Sequence, residues 1–313
     1  MSANPLADLS AAARAASAAS APSTVAIGRH GRGTGVVVGP NRVLTNAHNL
    51  RDRTTQITFA DGRAVQGRVI GADPDHDLVV LDVDTADVPP LLWSDAELAE
   101  GDAVFAAART TRGHRVSFGL VSAVDRAFRG PRGRRVKGAV EHTAPLGRGS
   151  SGGPLLDGEG RIVAINTHRL GEGFYLAQPA DESLRQRVDQ LVGGALLGGR
   201  RLGVAIVGPR ESNRLRRKVG LPDQDGLLVA GVEVGSPAAA AGLGEGDLVV
   251  AVAGSPVVSV DDVWDALDTA GDTVELEVVR GTESRTVTVS FAAPTNGDDG
   301  TGSSEPPAPD FVA

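Results

Sequence analysis

The 313-residue chain contains no cysteine. Disulfides, thiolate metal sites and a cysteine nucleophile are thereby excluded. Lysine is nearly absent: Lys137 and Lys218 are the only two, and the other cations are arginines. Aromatic residues make up 3 % of the chain, against 41 glycines. That balance points to many turns and small-residue strands rather than a large helical bundle. Basic excess is missing too: 39 acidic residues outnumber 31 Lys and Arg, for a net charge of −8. This argues against a general nucleic-acid binder. No stretch approaches the ~18–20 apolar residues of a membrane-crossing helix. Residues 1–22 are rich in Ala and Ser, with Asp8 and Arg14 among them. They make a poor signal peptide, so the cytoplasm is the default compartment, with an extracytoplasmic one left open. No Walker-type phosphate loop occurs. The six histidines are scattered without metal-ligand spacing, so neither metal nor cofactor is expected.

What is present is enough apolar residue, 41 %, for packed cores. The length suggests about two domains. From Thr24 to about Leu176, short apolar runs such as Val36-Val37-Val38 and Leu78-Val79-Val80-Leu81 alternate with turn signals. Many short strands without helical periods predict an antiparallel barrel or sandwich. Asp61-Gly62 reads as a two-residue type I′ hairpin turn. After Asp181, Leu184, Val188 and Leu191 share one helix face. Gly193-Gly194 and Gly198-Gly199 then mark a linker at 193–200. A second, smaller unit follows at 201–292, with strands and one helical stripe of Val260, Val263, Trp264 and Leu267. Residues 293–313 carry Asp298, Asp299, Glu305 and Asp310 and no cation. They cannot bury enough surface to fold, so disorder is expected there, and a flexible or helical arm at 1–22.

Three segments carry chemistry. In Gly147-Arg148-Gly149-Ser150-Ser151-Gly152-Gly153-Pro154, glycines flank a serine. A nucleophilic serine needs a tight turn and backbone N–H groups aimed at a developing oxyanion, and glycine permits both. In Thr45-Asn46-Ala47-His48 a histidine follows a strand. In Asp73-Pro74-Asp75-His76-Asp77 an acid stands at the entrance to Leu78-Val79-Val80-Leu81. Asp77 is best placed for burial; Asp73 and Asp75 read as turn residues. An imidazole takes a serine proton efficiently only when a buried carboxylate fixes its tautomer, and His48, Asp77 and Ser151 occur in the order His, Asp, Ser.

These segments, with Gly33-Thr34-Gly35 and Gly119-Leu120-Val121-Ser122-Ala123, resemble the HtrA (DegP-like) serine protease family across about residues 24–291. The resemblance implies a mainly β protein: a chymotrypsin-like double β-barrel at 23–192 followed by a small PDZ (α+β) domain. It implies Ser151 as nucleophile, His48 as base and acid, Asp77 as its orienter, and an oxyanion hole at Gly149, Ser150 and Ser151. The family usually has Asn where Ser150 stands. Six residues before the nucleophile, where trypsin-like enzymes hold Asp, this chain has Pro145. With Leu146, and with Phe174 and Tyr175 as the other wall, an apolar specificity pocket is expected. In the PDZ domain, Arg201-Leu202-Gly203-Val204 fits the carboxylate-binding loop, and Val263 and Leu267 are either the groove wall or core packing. The implied activity is ATP-independent cleavage of unfolded or damaged proteins, with C-terminal peptides bound at the PDZ domain and a homotrimer by resemblance. The alternative is a PDZ-based chaperone or binding scaffold with a latent protease domain. Arg126 to Lys137 reads as a basic, solvated hairpin loop. The chain end, Asp310-Phe311-Val312-Ala313, suits a PDZ groove.

Overall fold

Short β-branched runs between glycine turns fold here into sheets that close on themselves. The computed structural model describes residues 4–131 and 133–291. The acidic tail and Arg132 lie outside the described residues. The described chain forms two compact units, divided between Gly198 and Gly199.

In the first unit, β1 (Thr24–Ile27), β2 (Gly33–Gly39), β3 (Arg42–Thr45), β4 (Thr54–Thr58), β5 (Ala64–Asp73) and β6 (Leu78–Asp82) close a barrel in the order β1-β2-β3-β6-β5-β4. A second barrel joins β7 (Ala103–Thr110), β8 (Gly113–Arg129), β9 (Arg135–His142), β10 (Pro154–Leu156), β11 (Ile162–Gly171) and β12 (Phe174–Pro179) in the order β10-β11-β12-β9-β8-β7. The mainly β, double-barrel expectation therefore holds. The run Leu78-Val79-Val80-Leu81 is apolar throughout because β6 is buried on both faces. Val79 and Leu81 fill the first barrel, while Leu78 and Val80 pack outside it against Phe105, Ile162 and Ile165 of the second. His48 follows β3 and Asp77 directly precedes β6, two paired strands of the first barrel, so both residues stand at the ends of rigid elements.

Two helices flank the barrels. Helix α1 (Pro5–Ser23) is capped by Asn4 and buries Ala16. Its alanines allow close approach: a Cβ on Gly160 would lie 2.7 Å from that of Ala19. Arg109 answers its orphan C-terminal carbonyls, donating to Ala21 O (2.5 Å) and Thr24 O (2.7 Å). In α2 (Glu182–Val192) the buried face is Leu184, Val188 and Leu191, and Asp181 caps it.

Two local readings need correction. The Asp61-Gly62 turn is not a two-residue type I′ turn. Gly62 has φ 86° while Asp61 does not enter the left-handed region, and Phe59 N–H bonds Arg63 O. This is a longer loop with one glycine in the left-handed region, which β-twist also accommodates. The basic stretch is mostly strand, with Arg126 and Arg129 in β8 and Arg135 and Lys137 in β9. Arg126 pairs with Glu141 (3.6 Å) and Arg134 with Asp75 (3.5 Å).

The second unit holds β13 (Val204–Val207), α3 (Pro209–Lys218), β14 (Leu227–Val232), α4 (Pro237–Ala240), β15 (Asp247–Val252), β16 (Ser255–Pro256), α5 (Val260–Thr269), β17 (Thr273–Arg280) and β18 (Glu283–Ser290). The sheet runs β13-β14-β15-β17-β18, with β16 beside β15. Asp247 anchors it. Its buried carboxylate accepts from Arg280 (2.6 Å), Arg285 (2.9 Å) and Gly244 N–H (3.0 Å). Burial would raise its pKa, but these donors outweigh it and hold the group below the usual carboxylate range. No helix among the described residues is long and apolar enough to cross a membrane.

Buried histidines set an acid limit. Burial pushes His142 down to about 4, against the opposing hydrogen bond that its Nε2–H donates to Asn166 Oδ1. Its Nδ1 is buried without a partner, so a second proton there has no acceptor. His114 is likewise lowered to about 4, by burial and then by Arg109. Both are lower than an unfolded histidine, so their contribution to stability is complete above pH ~6.5 and is lost as pH falls toward 4. The slope is at most about 1.4 kcal/mol per pH unit for each group. A thermal-melt series should show the midpoint falling through that window, before the carboxylates titrate. A flat midpoint from pH 7 to 4.5 contradicts the assignment.

Candidate active site

The glycines around Ser151 are demanded by the backbone that surrounds them. Gly149 has φ 82°, and a Cβ there would lie 2.4 Å from Gly31 O. Gly152 has φ 83°, and its Cβ would meet Thr34 O at 2.3 Å and Thr45 Oγ1 at 2.4 Å. At Gly153 the clash is with Ala107 O, at 2.4 Å. Any side chain at these positions would push the loop off the barrels. The loop is then pinned. Ser151 O accepts from Thr34 N–H (2.9 Å) and Asn49 Nδ2 (2.8 Å), and Gly149 O accepts from Thr34 Oγ1 (2.7 Å). The backbone N–H groups of Gly149, Ser150 and Ser151 donate to no acceptor among the described residues.

His48 sits in a 3₁₀ turn, Ala47–Asn49, directly after β3. Asp77 is fully buried directly before β6 and takes φ 58°, a left-handed conformation that Asp tolerates better than most residues. Its backbone carbonyl accepts from Ala47 N–H (3.1 Å) and Asn46 Nδ2 (2.9 Å). Three donors converge on its carboxylate: His48 N–H on Oδ1 (3.0 Å), and His48 Nδ1 (2.7 Å) and Thr167 Oγ1 (3.0 Å) on Oδ2. This places the ring proton on Nδ1 and leaves Nε2 a base. Ser151 Oγ makes no hydrogen bond to His48 in this resting geometry, a bond that often tightens only when substrate binds.

The neighbouring acids do other work. Asp73 holds His76 (2.9 Å) and Arg187 (2.5 Å), and Asp75 pairs with Arg134. Burial opposes the charge on Asp73, but His76 and Arg187 more than offset it, and its pKa lies below the usual range. Among the described residues no cluster of His, Asp and Glu suits a metal ion.

The expected pocket walls do not face each other across an empty apolar space. Pro145 and Leu146 line a cavity of about 780 Å³ with Ala106, Ala108 and Val116, and Arg112, Arg115 and Arg148 also stand in its wall. Phe174 and Tyr175 are not among its walls. Pairing of β12 with β9 sets Tyr175 opposite His142, and their rings stack at 5.6 Å. Arg169 bridges the two sides instead, donating to Leu146 O and lying 5.5 Å over the Tyr175 ring. Sequence reasoning also missed Thr167 and His168. His168 Nδ1 bonds Thr167 Oγ1 (2.8 Å), and its ring lies 5.8 Å from that of His48. Burial lowers the His168 pKa; Asp77 opposes this and His48 adds to it.

In the second unit, the carbonyls of Leu202 and Gly203 accept from Ala238 and Glu233, while their own N–H groups have no backbone acceptor among the described residues. Gly203 is required there: φ is 77° and a Cβ would lie 2.3 Å from Ser236 Cβ. Arg201 pairs with Glu233. Val204 begins β13, which lies at the sheet edge. Val263 and Leu267 are buried in the core, 6 % and 2 % exposed, so α5 turns them inward rather than along an open wall.

Comparison with known proteins agrees with both units. A trypsin-like peptidase domain matches residues 33–165, and a PDZ domain matches residues 201–291. A probable periplasmic serine endoprotease, DegP-like, of Halomonas elongata is 31 % identical over 272 residues, covering 83 % of this chain and 56 % of that protein. The putative serine protease HhoA of Synechocystis is 29 % identical over 280 residues, covering 84 % of this chain and 71 % of its own. The chain thus spans little more than half the length of the DegP-like relatives it matches. Among solved structures, the HtrA-type protease AlgW with a decapeptide superimposes with a TM-score of 0.59 at 21 % identity, over 88 % of this chain and 97 % of that one. A serine endoprotease from Yersinia pestis gives 0.58 at 24 %, over 88 % and 96 %. A trypsin-like peptidase domain is followed here by one PDZ domain, and the chain is homologous to the DegP-like and HtrA serine proteases.

Proposed function

We propose that the protein is an ATP-independent serine endopeptidase acting on unfolded or damaged polypeptides. The observation that carries this is the chain of hydrogen bonds from Thr167 through Asp77 to His48, set beside a serine held in a glycine-defined turn. In this reading Ser151 Oγ attacks the peptide carbonyl and His48 Nε2 takes its proton. The buried Asp77 carboxylate stabilises the resulting imidazolium. The unspent N–H groups of Gly149 and Ser151 receive the oxyanion. His48 then protonates the leaving amine, and later activates water against the acyl-enzyme.

Pro145 offers no carboxylate to a basic side chain, and Arg112, Arg115 and Arg148, which line the same cavity, repel one. Apolar residues before the scissile bond are therefore favoured. Digestion of unfolded casein, with mass-spectrometric mapping, tests both points. Cleavage is expected mainly after small or medium apolar residues. Cleavage chiefly after Arg or Lys overturns the pocket, and no cleavage overturns the activity.

The PDZ loop at 201–204 suits a free chain terminus, whose carboxylate would meet the N–H groups of Leu202 and Gly203 while the peptide adds beside β13. Amidating a bound peptide's C-terminus removes charge-assisted hydrogen bonds and should weaken binding about tenfold or more. Equal affinity for the free and amidated peptides, by titration calorimetry, contradicts this loop assignment. The names of the relatives, several periplasmic, support an extracytoplasmic site over a cytoplasmic one. A homotrimer is proposed on family grounds. One observation favours the rival reading, a PDZ scaffold with a latent protease: Ser151 and His48 are not hydrogen-bonded at rest.

A further inference from the structure

A cavity of about 840 Å³ opens between the 28–32 loop, the 49–52 segment and strands β4 and β5. Arg29, Arg32 and Arg51 stand around it, and Thr54, Gln56 and Gln66 line it. Asp52 is the only acidic residue in its lining. None of the three arginines has a carboxylate within ion-pair distance among the described residues, whereas Arg42, Arg185, Arg187 and Arg280 all do. Arg32 is lowered from its ordinary value by burial, and further by the charge of Arg51. Two cations are thus held near each other with nothing negative paired to either. Like charges placed so destabilise a fold, and an incoming anion relieves them.

The position of the cavity relative to the reaction is fixed by Asn49. This residue lines it, follows His48 in the chain, and donates to Ser151 O (2.8 Å). His48 delivers its proton to the departing amine. The part of the substrate that leaves with that amine therefore runs past the 49–52 segment. The β1–β2 connection is short, residues 28–32, and leaves the cavity open.

We propose that this cavity is a subsite for acidic side chains carried a few residues to the C-terminal side of the scissile bond. The proposal rests on the endopeptidase reading and adds a substrate class to it. Asp- or Glu-bearing stretches would be cut ahead of the acid, with the carboxylate between Arg32 and Arg51.

Internally quenched peptides test it. Two sequences are identical except for Asp-Glu or Asn-Gln at the second and third positions after the scissile bond. Both are amidated at the C-terminus to keep them from the PDZ loop. The wild type should cleave the acidic peptide about fivefold more efficiently by kcat/KM, and about 0.5 M salt should shrink that ratio. Arg32→Gln with Arg51→Gln should bring the ratio close to one. Arg51→Glu, whose carboxylate would stand beside Arg32, should likewise abolish the preference for the acidic peptide. Circular dichroism confirms that each variant is folded. A wild-type ratio of one, or a ratio that survives in the folded double variant, overturns the proposal. Ser151→Ala protein gives a readout independent of turnover: by fluorescence anisotropy the acidic peptide should bind more tightly than the neutral one, and equal binding overturns the subsite. Failure of all turnover with the binding difference intact would instead count against the endopeptidase reading.

Discussion

Replacing Ser151 by alanine should lower kcat for casein or peptide cleavage on the order of 10⁶-fold, to the level left by binding and the oxyanion donors alone. The fold should not change. Ser151 is held by its backbone, through Thr34 and Asn49, and its hydroxyl takes part in no hydrogen bond with the described residues. The variant should therefore melt within about 0.5 kcal/mol of the wild type. The combination is diagnostic, because a residue that acted through stability would lose both. A Ser151→Ala protein that keeps more than a trace of proteolysis would place the nucleophile elsewhere.

Asp77→Asn should cost about 10⁴-fold in kcat. Asp77 answers three donors with one buried carboxylate. An asparagine has a single acceptor oxygen. Its NH₂ must then face either Thr167 or one of the His48 N–H groups, donor against donor. The imidazole is freed to take the other tautomer, with its proton on Nε2, and that form cannot accept from Ser151. The imidazolium formed during reaction also loses its counter-charge. Unlike Ser151→Ala, this variant should be less stable as well, because a buried donor is left unmatched at a cost of about 1–3 kcal/mol. Measuring kcat at a temperature where circular dichroism shows full folding separates the two effects. A loss below tenfold in folded protein would contradict the role of Asp77.

Much of this site is legible in the sequence, because its requirements are local. The glycines at 149, 152 and 153 announce a backbone that no side chain can enter, and a Cβ at each would collide with neighbouring backbone oxygens. Asp77 is distinguished from Asp73 and Asp75 by its place directly before an apolar strand. An antiparallel barrel or sandwich is legible in the spacing of strands, and the division into two barrels is implied only by the family resemblance. Other parts are not, because they arise from contacts far apart in the chain. Thr167 is an ordinary strand threonine until β11 brings its hydroxyl to Asp77, 90 residues earlier. Asn49 and Arg169 likewise show no sign in sequence of bonding Ser151 O and Leu146 O. Tyr175 looks like a pocket wall until the β9–β12 register turns it toward His142. Helix α1 reads equally as a flexible arm, since only the glycine-lined surface at Gly160 explains why so small-sided a helix docks.

Labelling with a fluorophosphonate probe tests the central claim most directly, since the reagent reacts only with a serine activated by a correctly placed imidazole. The account expects one probe per chain, mapped to Ser151, no labelling of Ser151→Ala, and labelling of Asp77→Asn slower by at least about 10³-fold. A wild-type chain that binds C-terminal peptides yet takes up no probe at Ser151 would contradict it and favour the scaffold.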